Sequence, residues 1–215
     1  RHVEVQVLAD THGNVVSFGT RDCSLQRRRQ KVLEEAPCST LPPELLERVE
    51  GYSRKLAAAV GYRSAGTCEY LVDAQGNPYF MEMNTRIQVE HTVTEEAYGV
   101  DLVREQIHVA QGCEIRPRGN MAPGHCVEVR VYAEDPSSGF VPAPGKIRQI
   151  HFGQGPGIRV DCGVGVGEEI SPHFDAMIAK VMARGRTREE ALTRLARALE
   201  ETRIQVEGGT TNIPF

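Results

Sequence analysis

The segment Glu82-Met83-Asn84-Thr85-Arg86-Ile87-Gln88-Val89-Glu90-His91 carries a polar side chain at every second position up to Glu90. Alternate side chains of an extended chain share one face, so this pattern predicts a strand with a continuous polar face. That face comprises Glu82, Asn84, Arg86, Gln88 and Glu90, and the opposite face comprises Met81, Met83, Ile87 and Val89. Two carboxylates, two amides and a guanidinium indicate a binding site, although an edge strand with one solvated face is the alternative interpretation.

The length of this polar face limits what it can bind. From Glu82 to Glu90 an extended chain spans roughly 26 Å at about 3.3 Å per residue, so one ligand atom cannot contact both ends. We therefore expect either two adjacent sites or a bend of the chain near Arg86.

A hairpin brings a second carboxylate to the same region. The alternation on both sides of residues 73–77 predicts two strands joined by a turn. If Val72 pairs with Tyr79, Glu69 lies opposite Glu82, where like charges repel. A divalent cation would remove this repulsion, and oxygen ligands without His or Cys favour Mg²⁺ or Mn²⁺. A register shifted by one residue would place the two carboxylates on opposite faces.

The densest basic run has two interpretations. Arg27, Arg28, Arg29 and Lys31 lie between this hairpin and the one that opens the chain. A solvated surface is the commonest meaning of such a run. Magnesium sites of this kind usually hold substrate phosphates, so we favour phosphate binding for Lys31.

Composition and charge exclude several classes of protein. The chain has 215 residues, 25 of them Lys or Arg and 29 Asp or Glu, and 40% are hydrophobic, which is typical of a folded globular protein. The net charge of −4 argues against general nucleic-acid binding. No apolar run approaches the roughly 18 residues of a transmembrane helix. Six cysteines without a C-x-x-C pair predict reduced thiols in a cytosolic or organelle-matrix protein.

Hydrophobic periodicity predicts the first elements of the chain. Residues 2–8 alternate as a strand with one buried face, residues 10–14 have turn chemistry, and residues 15–18 return as a second strand. A helix is predicted to begin at Pro42 or Pro43 and to end near Gly61. These elements predict a mixed α+β domain.

A second helix and a domain boundary are predicted further along. Thr92 and Glu95 resemble a capping box. The inward-facing residues of that helix would be Val100, Val103, Ile107 and Ala110. Residues 113–124 are rich in Pro and Gly and predict a connection, which gives domains of residues 1–115 and 124–215. The second domain is predicted to be β-rich, with strands over 126–132, 146–152, 158–160 and 176–182 and a last helix capped by Thr187.

Several motifs together resemble biotin carboxylase, the ATP-grasp component of acetyl-CoA, propionyl-CoA and pyruvate carboxylases. The motifs are Arg1-His2-Val3-Glu4-Val5-Gln6, Arg21-Asp22-Cys23-Ser24-Leu25-Gln26-Arg27-Arg28, Gln30-Lys31, residues 82–91 and Ala133-Glu134-Asp135-Pro136. The resemblance covers essentially the whole chain. It implies the C-terminal part of an ATP-grasp domain, an antiparallel sheet with helices, followed by the β-rich C-terminal domain. Residues 171–175 and 211–215 are similar to pyruvate carboxylases, whereas residues 82–85 are closer to the acyl-CoA enzymes.

The resemblance implies a reaction in two parts and a set of ATP and metal residues. ATP and bicarbonate form carboxyphosphate, and the carboxyl group then moves to N1 of biotin. The metal ligands for Mg²⁺ or Mn²⁺ would be Glu69, Glu82 and Asn84. The ATP contacts would be His2, Gln26, Arg29, Glu69 and Glu82. Arg29 departs from the family, which commonly has His at this position.

The resemblance also implies residues for bicarbonate and biotin. Bicarbonate would be held by Lys31, Arg86, Gln88 and the backbone of Val89. Glu90 would be the general base for bicarbonate. Arg130 would stabilise the enolate-like oxygen of biotin as the N1 proton leaves.

The resemblance finally implies partners and an incomplete chain. The family's N-terminal domain and glycine-rich lid would precede Arg1, and the chain would also be cut after Phe215, so we expect it to lack activity alone. The implied partners are a biotin carboxyl carrier, a carboxyltransferase and a second copy in a homodimer. A noncatalytic structural or subunit-contact module derived from an ATP-grasp enzyme is the alternative.

Overall fold

The computed structural model describes residues 1–115, 124–171 and 173–215. The chain divides into two compact units, Arg1–Cys126 and Val127–Phe215. Most of the connection predicted for residues 113–124 lies outside the described residues, as does Pro172.

The first unit contains a five-stranded antiparallel sheet and three helices. The strands are β1 His2–Ala9, β2 Val15–Arg27, β3 Gln30–Ala36, β4 Ser64–Val72 and β5 Pro78–Asn84, in the order β3-β2-β1-β4-β5. The helices are α1 Pro43–Ala59, α2 His91–Tyr98 and α3 Leu102–Ala110. This arrangement confirms the predicted α+β class with an antiparallel sheet.

Strand β1 is central, and both of its faces are buried. Val3, Val5 and Val7 pack with residues of α1 and β4 in one apolar cluster. Glu4 and Gln6 point to the other face and are also fully buried. The prediction of a strand with one buried face is therefore wrong for β1, because a strand that pairs on both edges and is covered on both faces leaves its polar residues inside the protein.

The β2–β3 hairpin was not predicted from the sequence. Its turn consists of Arg28 and Arg29, whose φ angles are 50° and 69°. Gly or Asn usually supplies such left-handed positions in a two-residue turn, and neither is present here. The basic run therefore forms the tip of a hairpin, with Lys31 one residue into β3.

The helix predicted after Thr92 is in fact two helices. Gly99, with a φ of 62°, ends α2, and Asp101 begins α3 by accepting a hydrogen bond from the backbone N–H of Arg104 at 2.8 Å. Thr92 lies inside α2 rather than at its N-cap, so the capping-box prediction is wrong. The break rotates the second half of the apolar pattern, so that Val103 and Ile107 are exposed instead of inward-facing.

The second unit is β-rich, as predicted. Its strands are β6 His125–Tyr132, β7 Glu134–Asp135, β8 Val141–Pro142, β9 Lys146–His151, β10 Ile158–Cys162, β11 Met177–Gly185 and β12 Arg203–Glu207. Strands β10, β11 and β6 are neighbours in one sheet, and β12 pairs with β9. Helix α4 spans Arg188–Glu201, and Thr187 caps it by accepting a hydrogen bond from the Glu190 N–H at 3.2 Å, as predicted.

The described residues include six free cysteines. Cys23, Cys38, Cys68 and Cys126 are buried free thiols, whereas Cys113 and Cys162 are exposed.

None of the helices in the described residues combines the length and apolar character needed to cross a bilayer.

Two turns of the first unit share the pattern Asp-x-x-Gly-Asn. Asp10 and Asp73 each accept hydrogen bonds from the backbone N–H two and four residues later, and from the side-chain amide of the Asn. Asp10 is buried and also accepts the backbone N–H of Ile115 at 2.9 Å. Although burial acts in the opposite direction, these hydrogen bonds lower the pKa of Asp10 from 3.8 to about 2.

We predict that Asp10→Ala lowers the free energy of unfolding by about 1–3 kcal/mol, because it leaves a buried N–H without its acceptor. The matched control Asp73→Ala removes the same turn at an exposed site and should cost less. The pKa of Asp10 is depressed, so its contribution is present above pH 3.8 and is lost as the pH falls towards 2. Urea denaturation between pH 7 and pH 2 tests this, and equal losses for the two variants would contradict it.

Candidate functional site

Glu69 and Glu82 face each other across the β4–β5 pair, as predicted. The pairing from which this was predicted is nevertheless wrong, because Val72 lies opposite Pro78 rather than Tyr79. An irregularity between Glu69 and Tyr70 shifts the register by one residue and restores the expected alignment. The two carboxylates therefore share one face of the hairpin.

An amide lies between these two carboxylates. The side-chain N–H₂ group of Asn84 donates to Oε1 of Glu69 at 2.8 Å and to Oε1 of Glu82 at 3.2 Å. Gln88 donates to the same Oε1 of Glu69 at 2.7 Å, and His2 Nε2 donates to its Oε2 at 2.8 Å. Although partial burial acts the other way, the bond from His2 and the charge of Lys31 hold the pKa of Glu69 below its usual value. Glu69 is thus a carboxylate at neutral pH.

The polar row does not continue as a strand beyond Asn84. Strand β5 ends there, and α2 begins at His91, so the prediction of one extended segment is wrong and the alternative of a bend near Arg86 is correct. The bend buries Gln88 and Glu90, whereas Glu82 and Arg86 stay exposed. It thereby separates the row into a solvent-facing part and an internal part.

Lys31 links the buried end of the polar row to strand β1 at the centre of the sheet through ion pairs. Its ammonium group forms ion pairs with the buried carboxylates of Glu4 and Glu90 and lies 3.7 Å from Oε1 of Glu69. Burial alone would lower the pKa of Lys31, but the carboxylates of Glu4 and Glu90 raise it above its usual value. Lys31 is therefore a permanent cation at neutral pH.

Arg21 is a site residue that the sequence reasoning missed. Its guanidinium is fully buried and makes six hydrogen bonds. The acceptors are Glu4, Gln6, Thr67, Gln88 and Thr94, from strands β1 and β4, the bend and helix α2. The strand predicted over residues 15–18 did not reach Arg21, whereas β2 extends past it and places Arg21 opposite Glu4.

The predicted ATP residues lie at the edge of this site. Gln26 donates to Nδ1 of His2 at 2.7 Å, and His2 in turn donates to Glu69. This chain of donors fixes the His2 tautomer with its proton on Nε2. Arg29 is exposed in the hairpin turn.

The remaining predicted residues are Arg86, Val89 and Arg130. The Arg86 guanidinium is exposed and donates to the carbonyl of Ile87 at 3.2 Å, and Val89 is half-buried in the bend. Arg130 is half-buried on β6 in the second unit, where its carbonyl accepts a hydrogen bond from Asn212 at 3.0 Å. The roles predicted for these residues stay predictions.

Two groups of potential metal ligands in the described residues overlap the ion-pair network. His2, Glu4 and Glu69 form one group with ligand atoms within 4.8 Å of one another, and Glu4, Cys23 and Glu90 form the other. The Lys31 ammonium contacts a carboxylate of each group, so a second cation there would be repelled. Burial and the neighbouring carboxylates raise the pKa of Cys23 well above its usual value, so its thiol stays protonated. The pair of Glu69 and Glu82, in which Glu82 is exposed, fits a cation better.

Comparison with known families assigns both parts of the chain. Residues 1–117 match the family described as carbamoyl-phosphate synthase L chain, ATP binding domain. Residues 128–215 match the biotin carboxylase C-terminal domain. The first description names carbamoyl-phosphate synthases, whereas the second names biotin carboxylases.

Individual relatives agree with this assignment. Biotin carboxylase 1 of Bacillus subtilis is 49% identical over 218 residues, which cover 100% of this chain and 48% of that protein. Mitochondrial pyruvate carboxylase of Rattus norvegicus is 48% identical over 221 residues, which cover 100% of this chain and 19% of that protein.

A solved structure has the same fold. The biotin carboxylase domain dimer of Hydrogenobacter thermophilus 2-oxoglutarate carboxylase, in complex with MgADP, ADP and bicarbonate, superposes with a TM-score of 0.94 at 46% identity. The match covers 99% of this chain and 47% of that one, so the chain spans about half the length of such biotin carboxylases. On its sequence, both matched domains and its fold, the chain belongs to the biotin carboxylase family.

Proposed function

We propose that this chain forms the metal, bicarbonate and biotin part of an ATP-dependent carbon–nitrogen ligase that carboxylates biotin through carboxyphosphate. The observation that carries the proposal is the alignment of Glu69 with Glu82 beside the Lys31–Glu90 ion pair. The carboxylates of Glu69 and Glu82 would bind a cation. Beside them, the Lys31 ammonium would attract an anion, and the Glu90 carboxylate would accept its proton. Residues 1–115 would supply the metal and bicarbonate groups, and residues 124–215 would supply Arg130.

Glu69, Glu82 and Asn84 would hold Mg²⁺ or Mn²⁺. The oxygen atoms of these three side chains are hard ligands that suit either ion. In the structure the Asn84 amide donates to both carboxylates, which shows that their negative charges lie close together. When bound, the ion neutralises charge on the ATP phosphates as the γ-phosphoryl group departs. His2 and Gln26 would contact the nucleotide beside Glu69, and Arg29 would approach it from the hairpin tip.

Arg86, Gln88, Lys31 and the backbone of Val89 would bind bicarbonate. The exposed Arg86 guanidinium offers a planar fork of donors that matches a carboxylate-like anion. Lys31 adds a fixed positive charge and forms an ion pair with Glu90. The carboxylate of Glu90 would accept the bicarbonate proton, which is the general-base role. Arg130 would hold charge that develops on the biotin oxygen.

The whole protein would act with partners. The relatives are carboxylases or their biotin carboxylase subunits, so we propose a biotin carboxyl carrier and a carboxyltransferase as partners. The Hydrogenobacter thermophilus domain is described as a dimer, and we propose a homodimer here. The four buried free thiols support a reducing compartment, either cytosol or an organelle matrix.

The first test of the function uses a chimera. Residues 1–215 replace the matching 48% of Bacillus subtilis biotin carboxylase 1, and ATP hydrolysis that depends on bicarbonate and biotin is measured. We expect activity in the chimera. A folded but inactive chimera, assayed beside the active parent enzyme, would instead support a noncatalytic module.

In the active chimera, Glu82→Gln should lower kcat by about 10- to 100-fold and raise the Mg²⁺ concentration needed for half-maximal rate, because one oxygen ligand loses its charge. The control Glu47→Gln removes an equally negative side chain from the exposed face of α1 and should change neither value. An Mg²⁺ dependence identical to that of the unaltered chimera would rule out Glu82 as a ligand.

Arg86→Ala should lower turnover by about 100-fold, because the bound anion loses its main donor. The side chain is exposed, so the free energy of unfolding should change by no more than about 0.5 kcal/mol. Steady-state kinetics with varied bicarbonate, together with thermal denaturation, measure both effects. A variant that unfolds would mean that Arg86 has a structural role instead.

A further inference from the structure

Arg21 carries a full positive charge in the interior of the first unit. Its side chain has no solvent exposure, and removing a guanidinium from water is costly unless every donor is satisfied. Nε and Nη2 both donate to Oε2 of Glu4, at 3.0 and 2.9 Å. Nη1 donates to Gln6 and Thr94, and the two N–H groups of Nη2 are shared among Glu4, Thr67 and Gln88. This arrangement fixes the guanidinium rigidly among its partners.

Arg21 determines which way the Gln88 amide points. A guanidinium has only donors, so the Gln88 atom that faces Arg21 Nη2 at 2.9 Å must be Oε1. The Nε2 group of Gln88 is then directed at Glu69, to which it donates at 2.7 Å. The reverse orientation would place two donors against each other at one end and two acceptors at the other.

Arg21 and Lys31 bind different oxygen atoms of the Glu4 carboxylate. Arg21 occupies Oε2, whereas Lys31 pairs with Oε1 of Glu4 and with Oε1 of Glu90. The two cations thus compensate the buried carboxylates of Glu4 and Glu90, and Lys31 also lies 3.7 Å from Oε1 of Glu69. Without Arg21, Glu4 would hold an unbalanced charge and would attract Lys31 away from Glu90.

We propose that Arg21 is a positioning residue for the bicarbonate site, an inference that rests on the function proposed above. It orients the Gln88 amide and keeps Lys31 on Glu90, although it would contact no substrate itself. Its fork geometry matters as much as its charge, because one cation must contact Glu4 and Gln88 at once from fixed directions.

The test compares Arg21→Lys with Arg21→Met in the chimera. Lysine keeps the positive charge but lacks the planar set of donors of arginine. Arg21→Lys should therefore fold and keep the KM for MgATP within about twofold. It should lower kcat/KM for bicarbonate by about 10- to 100-fold. Arg21→Met also loses the charge and should lower stability further. Full bicarbonate kinetics in Arg21→Lys would overturn the proposal, whether or not Arg21→Met folds.

A double-mutant cycle separates positioning from general stability. If Arg21 acts through Gln88, Arg21→Lys should cost much less in kcat/KM for bicarbonate when Gln88→Ala is already present. Additive losses would contradict the proposal. The control Ser53→Ala removes a buried hydrogen bond to Tyr70 on the apolar face of the sheet, and it should lower Tm without changing the kinetic constants.

A second readout does not depend on activity. In NMR spectra of the chimera, the side-chain amide of Gln88, identified from the Gln88→Ala spectrum, should shift in Arg21→Lys as its bond to Glu69 weakens. An unchanged signal would overturn the proposal while leaving the proposed function intact. An inactive but folded chimera would end both proposals, whereas an active chimera with a normal Arg21→Lys variant ends only this one.

Discussion

The carboxylate of Glu4 is shared between the buried Arg21 and the partly buried Lys31, and the site is organised around that sharing. Arg21 takes one oxygen and Lys31 takes the other, so neither cation is left without compensation in an environment with little water. Breaking a buried ion pair by removing one partner costs far more than the intact pair contributes, because the remaining charge is stranded. Moving either cation away would therefore leave a carboxylate without its partner. This constraint sets where Lys31, Glu90 and Gln88 can lie.

Glu69 connects the solvent-facing and internal parts of the site. Its Oε1 accepts from Asn84 on the carboxylate pair and from Gln88 in the bend, and Lys31 lies 3.7 Å away. A cation placed between Glu69 and Glu82 would compete with these donors for the same oxygen. Occupancy of the proposed metal position would thus be coupled to the orientation of Gln88 through one carboxylate.

Local chemistry made some of this structure predictable from the sequence. The turn at Asp10 and the cap at Thr187 follow from short-range hydrogen bonds, and both are confirmed. The facing of Glu69 and Glu82 was predicted from a pairing that is wrong at Val72, and a register irregularity corrected the error. Such an irregularity depends on packing against other strands, which alternation in one segment does not encode.

The buried charges were missed for a physical reason. A polar residue on a strand is normally read as exposed, and Glu4 and Gln6 alternate with valines as a solvated face would. Only the pairing of β1 with both β2 and β4, and the cover of α2 above Arg21, shows that this face is internal. The two faces of β1 consequently differ in the kind of interaction that buries them. The valine face packs on α1 by apolar burial, and the glutamate face holds the ion pairs of Glu4 with Arg21 and Lys31.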